Sequence, residues 1–357
     1  MEKIRITKNV DFYISHACNM NCPNCNSLNN YNFRGNFLWK DYEDVYSQWT
    51  ETVDLTRIAI LGGEPLANPD VLNWIKGCRR LWPESILKLT TNGTLIKSTD
   101  TELYNTLIET DCILTISLHN RQNLQELIDR LCDWIPEPVV TQRIANDFEY
   151  EKKVNSHWDT IYEQLRGEDW PNHVTYQERE SLPDWIQSEL NEFIGDRFDN
   201  LKEKHTQTRI TDKNNIDIEI NVEDSFAEAP AQYNNDTKSF HFNDSDPELA
   251  HEACTFKYCH MMFKGKLYKC ASSALFSDFI DQFTTTLTNK QRKITETPTY
   301  ASVDMSYDKL KETIENTMEH TIPQCTLCTQ KRIFGEQFFA DIGNKPKVTK
   351  NKKTVKY

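Results

Sequence analysis

Cys18, Cys22 and Cys25 place three thiols within eight residues, the densest set of soft metal donors in the sequence. They follow Val10–His16, an apolar stretch that reads as a strand, so the loop can wrap its sulfurs around one face of a small inorganic cluster. A [4Fe–4S] cube has four irons, and three thiolates leave one of them open to a small molecule. A structural zinc site needs four protein ligands instead. A second constellation lies in the C-terminal third: Cys254, Cys259 and Cys270, then the pair Cys325 and Cys328. Between them Gly265 reads as the turn of a β-hairpin with cysteines on or near both arms. Five cysteines compete there for four positions, and a terminal C-x2-C is also a zinc pattern. Cys78, Cys112 and Cys132 fall inside predicted helices or strands and read as core.

The elements that must position these thiols are legible as alternating periods. Residues 38–51 put Leu38, Tyr42, Val45, Tyr46 and Trp49 on one helical stripe. Arg57–Leu61 is a strand running into Gly62-Gly63-Glu64-Pro65, and Asn68-Pro69 offers an N-cap for a helix over 69–82. Ile86–Thr90, Cys112–Leu118 and Val139–Ile144 read as the third, fourth and fifth strands, with helices over 100–109 and 121–134 between them. Ile216–Val222 alternates strictly and reads as the sixth strand, after an elaborated insert over 146–210 that includes a helix at 181–203. A further helix is expected at 304–319. Strands alternating with helices imply a parallel sheet of βαβ units, whose chemistry collects at the C-terminal strand ends. Cys18, Gly62-Gly63, Asn92-Gly93 and Ser117-Leu118-His119 all fall at such ends.

Composition narrows the classes. The chain has 357 residues and a formal net charge of −13, which argues against a non-specific grip on a nucleic-acid backbone. No apolar run approaches a membrane span, and the N-terminus lacks a signal-peptide core. Eleven cysteines without a secretory signal suit a reducing cytoplasm, where clustered thiols hold metals more often than they pair. The stretch from Lys345 to Tyr357 is lysine-rich, has no acidic residue and reads as a solvated tail.

The C-x3-C-x2-C loop, followed on the next strand by Gly62-Gly63-Glu64, resembles the radical S-adenosylmethionine (SAM) enzymes. That resemblance implies a partial (β/α)6 TIM-like barrel over 1–230, an α/β fold. It implies a [4Fe–4S] cluster on Cys18, Cys22 and Cys25 whose open iron chelates SAM. One electron then splits the sulfonium, and the resulting 5′-deoxyadenosyl radical takes hydrogen from a substrate. By the same resemblance Gly62, Gly63 and Glu64 line the SAM amino group, Asn92 belongs to the third-strand motif, and Ser117 bonds SAM's carboxylate or ribose. The catalytic residue is not identified; His119 is a candidate for substrate contact and Arg143 for contact with SAM or substrate, and a surface ion pair is an equal alternative for Arg143. Asn24 stands where the family usually has an aromatic residue, His119 where an Asp is common, and the fifth strand lacks the usual glycine pair.

The Cys254-x10-Gly265-x4-Cys270 pattern with Cys325 and Cys328 resembles the opening of a SPASM domain. No cysteine follows Cys328, as in the shorter twitch form, which implies one auxiliary [4Fe–4S] cluster in a small α+β domain over 231–344. Counting from the glycine favours Cys254, Cys270, Cys325 and Cys328 as ligands, with Cys259 as the alternative and zinc as the rival metal. A fully ligated cluster moves electrons, which favours oxidative outcomes. The implied partners are an electron donor such as flavodoxin or ferredoxin and a peptide, protein or small hydroxylated substrate. The rivals are a silent metal-binding protein with a zinc site and a nucleic-acid-modifying relative, which the acidic balance disfavours.

Overall fold

The computed structural model describes residues 2–22, 25–119, 121–144, 206–222, 230–254, 256–257, 259–330, 341–342, 348 and 350. The expected helix at 181–203, most of the insert, most of the lysine-rich tail and Asn24 lie outside the described residues.

The first half alternates strand and helix as its periods require. Strand β1 (Ile4–Tyr13) leads into the cysteine loop, which contains the two-residue β2 (Met20–Asn21). Helix α1 (Glu43–Thr52) and β3 (Val53–Leu61) follow, then α2 (Val71–Leu81) and β4 (Ile86–Thr91). Next come α3 (Thr101–Glu109), β5 (Cys112–Leu118), α4 (Leu124–Trp134) and β6 (Val139–Ile144). The end of the expected insert is itself a strand, β7 (Thr206–Thr211), and β8 (Asp217–Val222) follows. The C-terminal part comprises β9 (Ala231–Asn234), β10 (Ser239–Phe242), α5 (Pro247–Ala253), β11 (Cys259–Phe263) and β12 (Lys266–Tyr268). It continues through α6 (Ala271–Gln282), β13 (Thr285–Thr286), α7 (Asn289–Glu296), β14 (Tyr300–Ala301), α8 (Tyr307–Glu312) and β15 (Asp341–Ile342). No helix among the described residues is long and apolar enough to cross a membrane.

Ten strands form one mixed sheet in the order β14-β12-β11-β1-β3-β4-β5-β8-β7-β6. The six from β11 to β8 are parallel, and the outer pairs on each side are antiparallel. Two expectations change here. The strand at 139–144 does not follow β5 in the parallel set; it is an edge strand, antiparallel to β7, while β8 takes the place beside β5. Burial explains the exchange. Ile218 and Ile220 of β8 are fully buried, whereas Val139 and Val140 of β6 remain 55% and 42% exposed. Second, the hairpin of the C-terminal part extends the main sheet, because β11 pairs with β1 (Val10 opposite His260, Phe12 opposite Met262).

One row of side chains shows what holds the sheet together. Met262, Phe12, Ile60, Leu89, Leu114, Ile218 and Ile210 lie opposite one another across seven strands, and each is wholly excluded from solvent. Each contributes about 1.5–3 kcal/mol of apolar burial. The other face carries charged groups as well: Lys88 donates to Glu219 across it at 2.7 Å. A second core joins Leu28 and Phe33, just downstream of the cysteine loop, to Phe240, Phe242, Phe276, Phe279 and Phe283.

Local chemistry adjusts several boundaries. Lys264 and Gly265 both take positive φ (49° and 75°), giving the tight hairpin between β11 and β12 that Gly265 promised. Asn68 does not cap α2. Its side-chain nitrogen donates to the carbonyls of Ile14 (2.7 Å) and Phe37 (2.8 Å), and the helix begins at Val71. The helix expected at 304–319 is interrupted: α8 ends at Glu312 and widens into a π-turn over Thr313–Thr317.

Candidate metal and cofactor site

The cysteine loop leaves the C-terminal end of β1, and the adjacent strand end is fitted closely against it. Gly63 N–H donates to Ser15 O at 2.7 Å and Glu64 N–H to Ala17 O at 2.8 Å. A Cβ on Gly62 would stand 2.6 Å from Ser15 O, and one on Gly63 would stand 2.5 Å from Ala17 O. Both glycines are therefore required by backbone approach within the protein itself. Cys18, Cys22 and Cys25 are all partly exposed. The N–H of Met20 points at Cys18 Sγ (3.4 Å), and Cys25 N–H closes the following turn on Cys22 O (3.2 Å).

The third strand end is tied in by two clamps. Glu64, expected beside a ligand, is completely buried and engaged by protein donors. Its Oε1 accepts from Thr91 Oγ1 (2.6 Å) and Leu66 N–H (3.0 Å), and its Oε2 from Asn92 N–H (2.8 Å). Burial raises its pKa while these three donors work in the opposite direction. Asn92 Nδ2 donates to Oδ1 of Asn19, inside the cysteine loop, at 2.9 Å, and Asn19 Nδ2 donates to Thr94 Oγ1 at 2.7 Å. Sequence reasoning missed Asn19, although its position between two loop cysteines was a usable signal.

A family model for a 4Fe-4S single cluster domain matches residues 8–132. That span begins inside β1 and ends in α4, so it contains all three loop cysteines and both clamps. No curated protein matches the chain. Among solved structures, it is similar to BtrN in complex with AdoMet and 2-DOIA, at 21% identity over 38% of this chain and 55% of that one, with a TM-score of 0.28. It is also similar to Streptococcus suis SuiB bound to S-adenosylmethionine (16%, 49% and 52%, TM-score 0.24) and to anSMEcpe with bound AdoMet and Cp18Cys peptide (21%, 33% and 33%, TM-score 0.26). The chain spans about half the length of the first two and a third of the last.

Among the described residues no three Cys, His, Asp or Glu side chains form a group able to hold a single metal ion. What fits an iron–sulfur cluster is the donor chemistry: three accessible thiols on one short loop, with a backbone N–H directed at one sulfur.

Ser117 is the penultimate residue of β5, opposite Asn221 of β8, and His119 follows the strand's last residue, half-buried. β6 runs in the same direction as β5, so Arg143 lies toward the same sheet end, but with β8 and β7 between them. The Arg143 side chain lies outside the described residues.

The C-terminal thiols also gather. Cys254 follows α5, Cys270 is the N-cap of α6, Cys325 lies within the 3-10 turn Pro323–Leu327, and Cys328 caps that turn with its N–H on Cys325 O (3.1 Å). Burial pushes the Cys254 thiol up to about 11, helped by Cys270 and Cys325. Cys328 is raised by burial and by the charges of Cys270, Cys254 and Cys325. Burial and the charge of Cys270 also raise Cys325, so Cys270 acts on all three of the others. Cys259 opens β11 opposite Asn9. Cys78 and Cys112 are buried in the main core, as their positions suggested, while Cys132 is only partly buried.

Proposed function

We propose that this chain is a radical SAM enzyme, built on a partial (β/α)6 barrel with a twitch-like auxiliary-cluster region. The observation that carries the proposal is the convergence of the cysteine loop, Gly62-Gly63 and Asn92 at the C-terminal ends of three adjacent parallel strands. Cys18, Cys22 and Cys25 would hold a [4Fe–4S] cluster, in keeping with the family model over the same residues. When bound, that cluster supplies the electron that cleaves SAM and so generates the radical that takes hydrogen from the substrate. The backbone at Gly62-Gly63 and the Ser117 hydroxyl offer hydrogen-bonding groups to SAM. Glu64, bonded to Thr91 and Asn92, would stand behind them and fix the β3 and β4 loops. His119, at the end of β5, is the candidate for substrate contact; Arg143, on the edge strand, is the other.

Cys254, Cys270, Cys325 and Cys328 would hold the auxiliary cluster, an assignment supported by the influence of Cys270 on the other three thiols. With four protein ligands it has no open iron and serves electron transfer, which suits oxidation of a peptide side chain or a small hydroxylated molecule. A flavodoxin or ferredoxin would supply the electron. Anaerobic reconstitution with metal counting and a 5′-deoxyadenosine assay tests this. About eight irons per chain with SAM cleavage is expected, since each cube holds four. About four irons plus one zinc would reassign the C-terminal thiols to a structural zinc site. A full first cluster that never cleaves SAM under strong reductant would refute the enzyme.

A further inference from the structure

Behind Cys25 lies a string of buried polar groups that the proposed chemistry does not yet use. Asn29 is 1% exposed, and its Nδ2 donates to the carbonyl oxygen of His16 at 2.6 Å and to the Tyr13 hydroxyl at 2.9 Å. A backbone carbonyl can only accept, so the nitrogen end of the amide must face His16. The amide oxygen is thereby turned toward Cys25, with Oδ1 3.9 Å from Sγ and 3.3 Å from the Tyr13 hydroxyl. The orientation is braced from behind. The Tyr13 hydroxyl meets His16 Nδ1 at 3.1 Å, His16 Nε2 meets Asp278 of α6 at 3.1 Å, and Lys264 donates to Asp278 at 2.6 Å. His16 is fully buried and stacks on Phe33 at 3.7 Å, so this brace is packed as well as bonded.

We propose that Asn29 is a positioning residue that holds a carbonyl dipole against Cys25 and so keeps the reduction potential of the bound cluster low. This rests on the assignment of a cluster to Cys18, Cys22 and Cys25. In the metal-free chain the Cys25 thiol donates to Asn29 Oδ1. Once the sulfur has lost its proton and binds iron, the negative end of the amide dipole faces it. N–H groups aimed at cluster sulfurs favour the reduced state, whose charge is more negative. A carbonyl in that position opposes reduction, which makes the reduced cluster the stronger donor toward a sulfonium.

The test is an EPR-monitored redox titration of the reconstituted full-length chain, following the signal that Cys18→Ala abolishes. Asn29→Leu removes the dipole at nearly constant volume. It should raise the midpoint, increasing the reduced-to-oxidised ratio at fixed potential about tenfold, or about 59 mV for one electron. Asn29→Asp should not raise it. If protonated, its hydroxyl serves His16 O and its carbonyl still faces Cys25; if ionised, it adds negative charge. Should Asn29→Leu fail to load iron, Asn29→Ala makes the same truncation. A midpoint unchanged or lowered by truncation, or raised equally by Leu and Asp, overturns the proposal. Absence of the Cys18-dependent signal from the unaltered chain would instead overturn the cluster assignment beneath it.

Discussion

Glu64 separates two accounts of the Gly62-Gly63-Glu64 motif, and its removal gives a calculable effect. In Glu64→Ala the N–H groups of Leu66 and Asn92 and the hydroxyl of Thr91 lose their acceptor. The Thr91 hydroxyl can rotate, and its oxygen already accepts from Gly93 N–H (3.1 Å), so the cost falls on the two backbone donors. Each unsatisfied donor costs about 1–3 kcal/mol, giving about 2–6 kcal/mol against a typical total of about 5–15 kcal/mol. Glu64→Gln is the sharper probe. It keeps one oxygen for Thr91 and Leu66 but turns an N–H toward the N–H of Asn92, a loss of about 1–3 kcal/mol. With a urea slope of about 3 kcal/mol per molar, the midpoint should fall by about 0.3–1 M in the metal-free chain. Urea unfolding followed by tryptophan fluorescence reads this directly. An unchanged midpoint in Glu64→Gln, accompanied by weakened SAM binding in the reconstituted protein, would mean that the carboxylate contacts ligand and is not a clamp.

Two further outcomes follow from the site and the sheet. Cys270→Ser should lower the metal content of the reconstituted protein while Cys259→Ser leaves it unchanged; equal losses would put Cys259 among the ligands. Asp11, on the polar face of β1, has its carboxyl pushed up to about 7 by burial, against a hydrogen bond from Asn9. The folded chain then keeps a proton that the unfolded chain releases from about pH 4 upward, so stability should fall as pH rises toward 7 and flatten above it. Asp11→Asn should remove that slope, and parallel slopes for the two proteins in urea midpoints measured between pH 4.5 and 8 would contradict it.

Much of the architecture was legible because its causes are local. The alternation in Ile216–Val222, the helical stripe ending at Trp49 and the loop cysteines each report a property that neighbours along the chain share. Pairing partners are not local. Val139–Ile144 reads as a strand whichever neighbour it has, and only its exposed valines mark it as an edge. The same holds at the site. Cys18, Cys22, Cys25 and Gly62-Gly63 stood out by spacing, whereas Asn29 and Asp278 matter through contacts that no period encodes. Glu64 was found by motif, but its bonds to Thr91, Asn92 and Leu66 were not legible, because a motif names a residue and not the direction of its carboxylate.

The seating of β11 against β1 also sets an order of events during synthesis. Val10 leaves the ribosome about 250 residues before His260, the residue it lies opposite. At about 5–20 residues per second that interval is roughly 13–50 s. Throughout it, one edge of β1 has no partner strand, and Leu28 and Phe33 lack Phe276, Phe279 and Phe283 of their core. The cysteine loop is therefore made early and braced late, and its thiols meet the cell's metal-delivery machinery and oxidants before the fold that shelters them is complete.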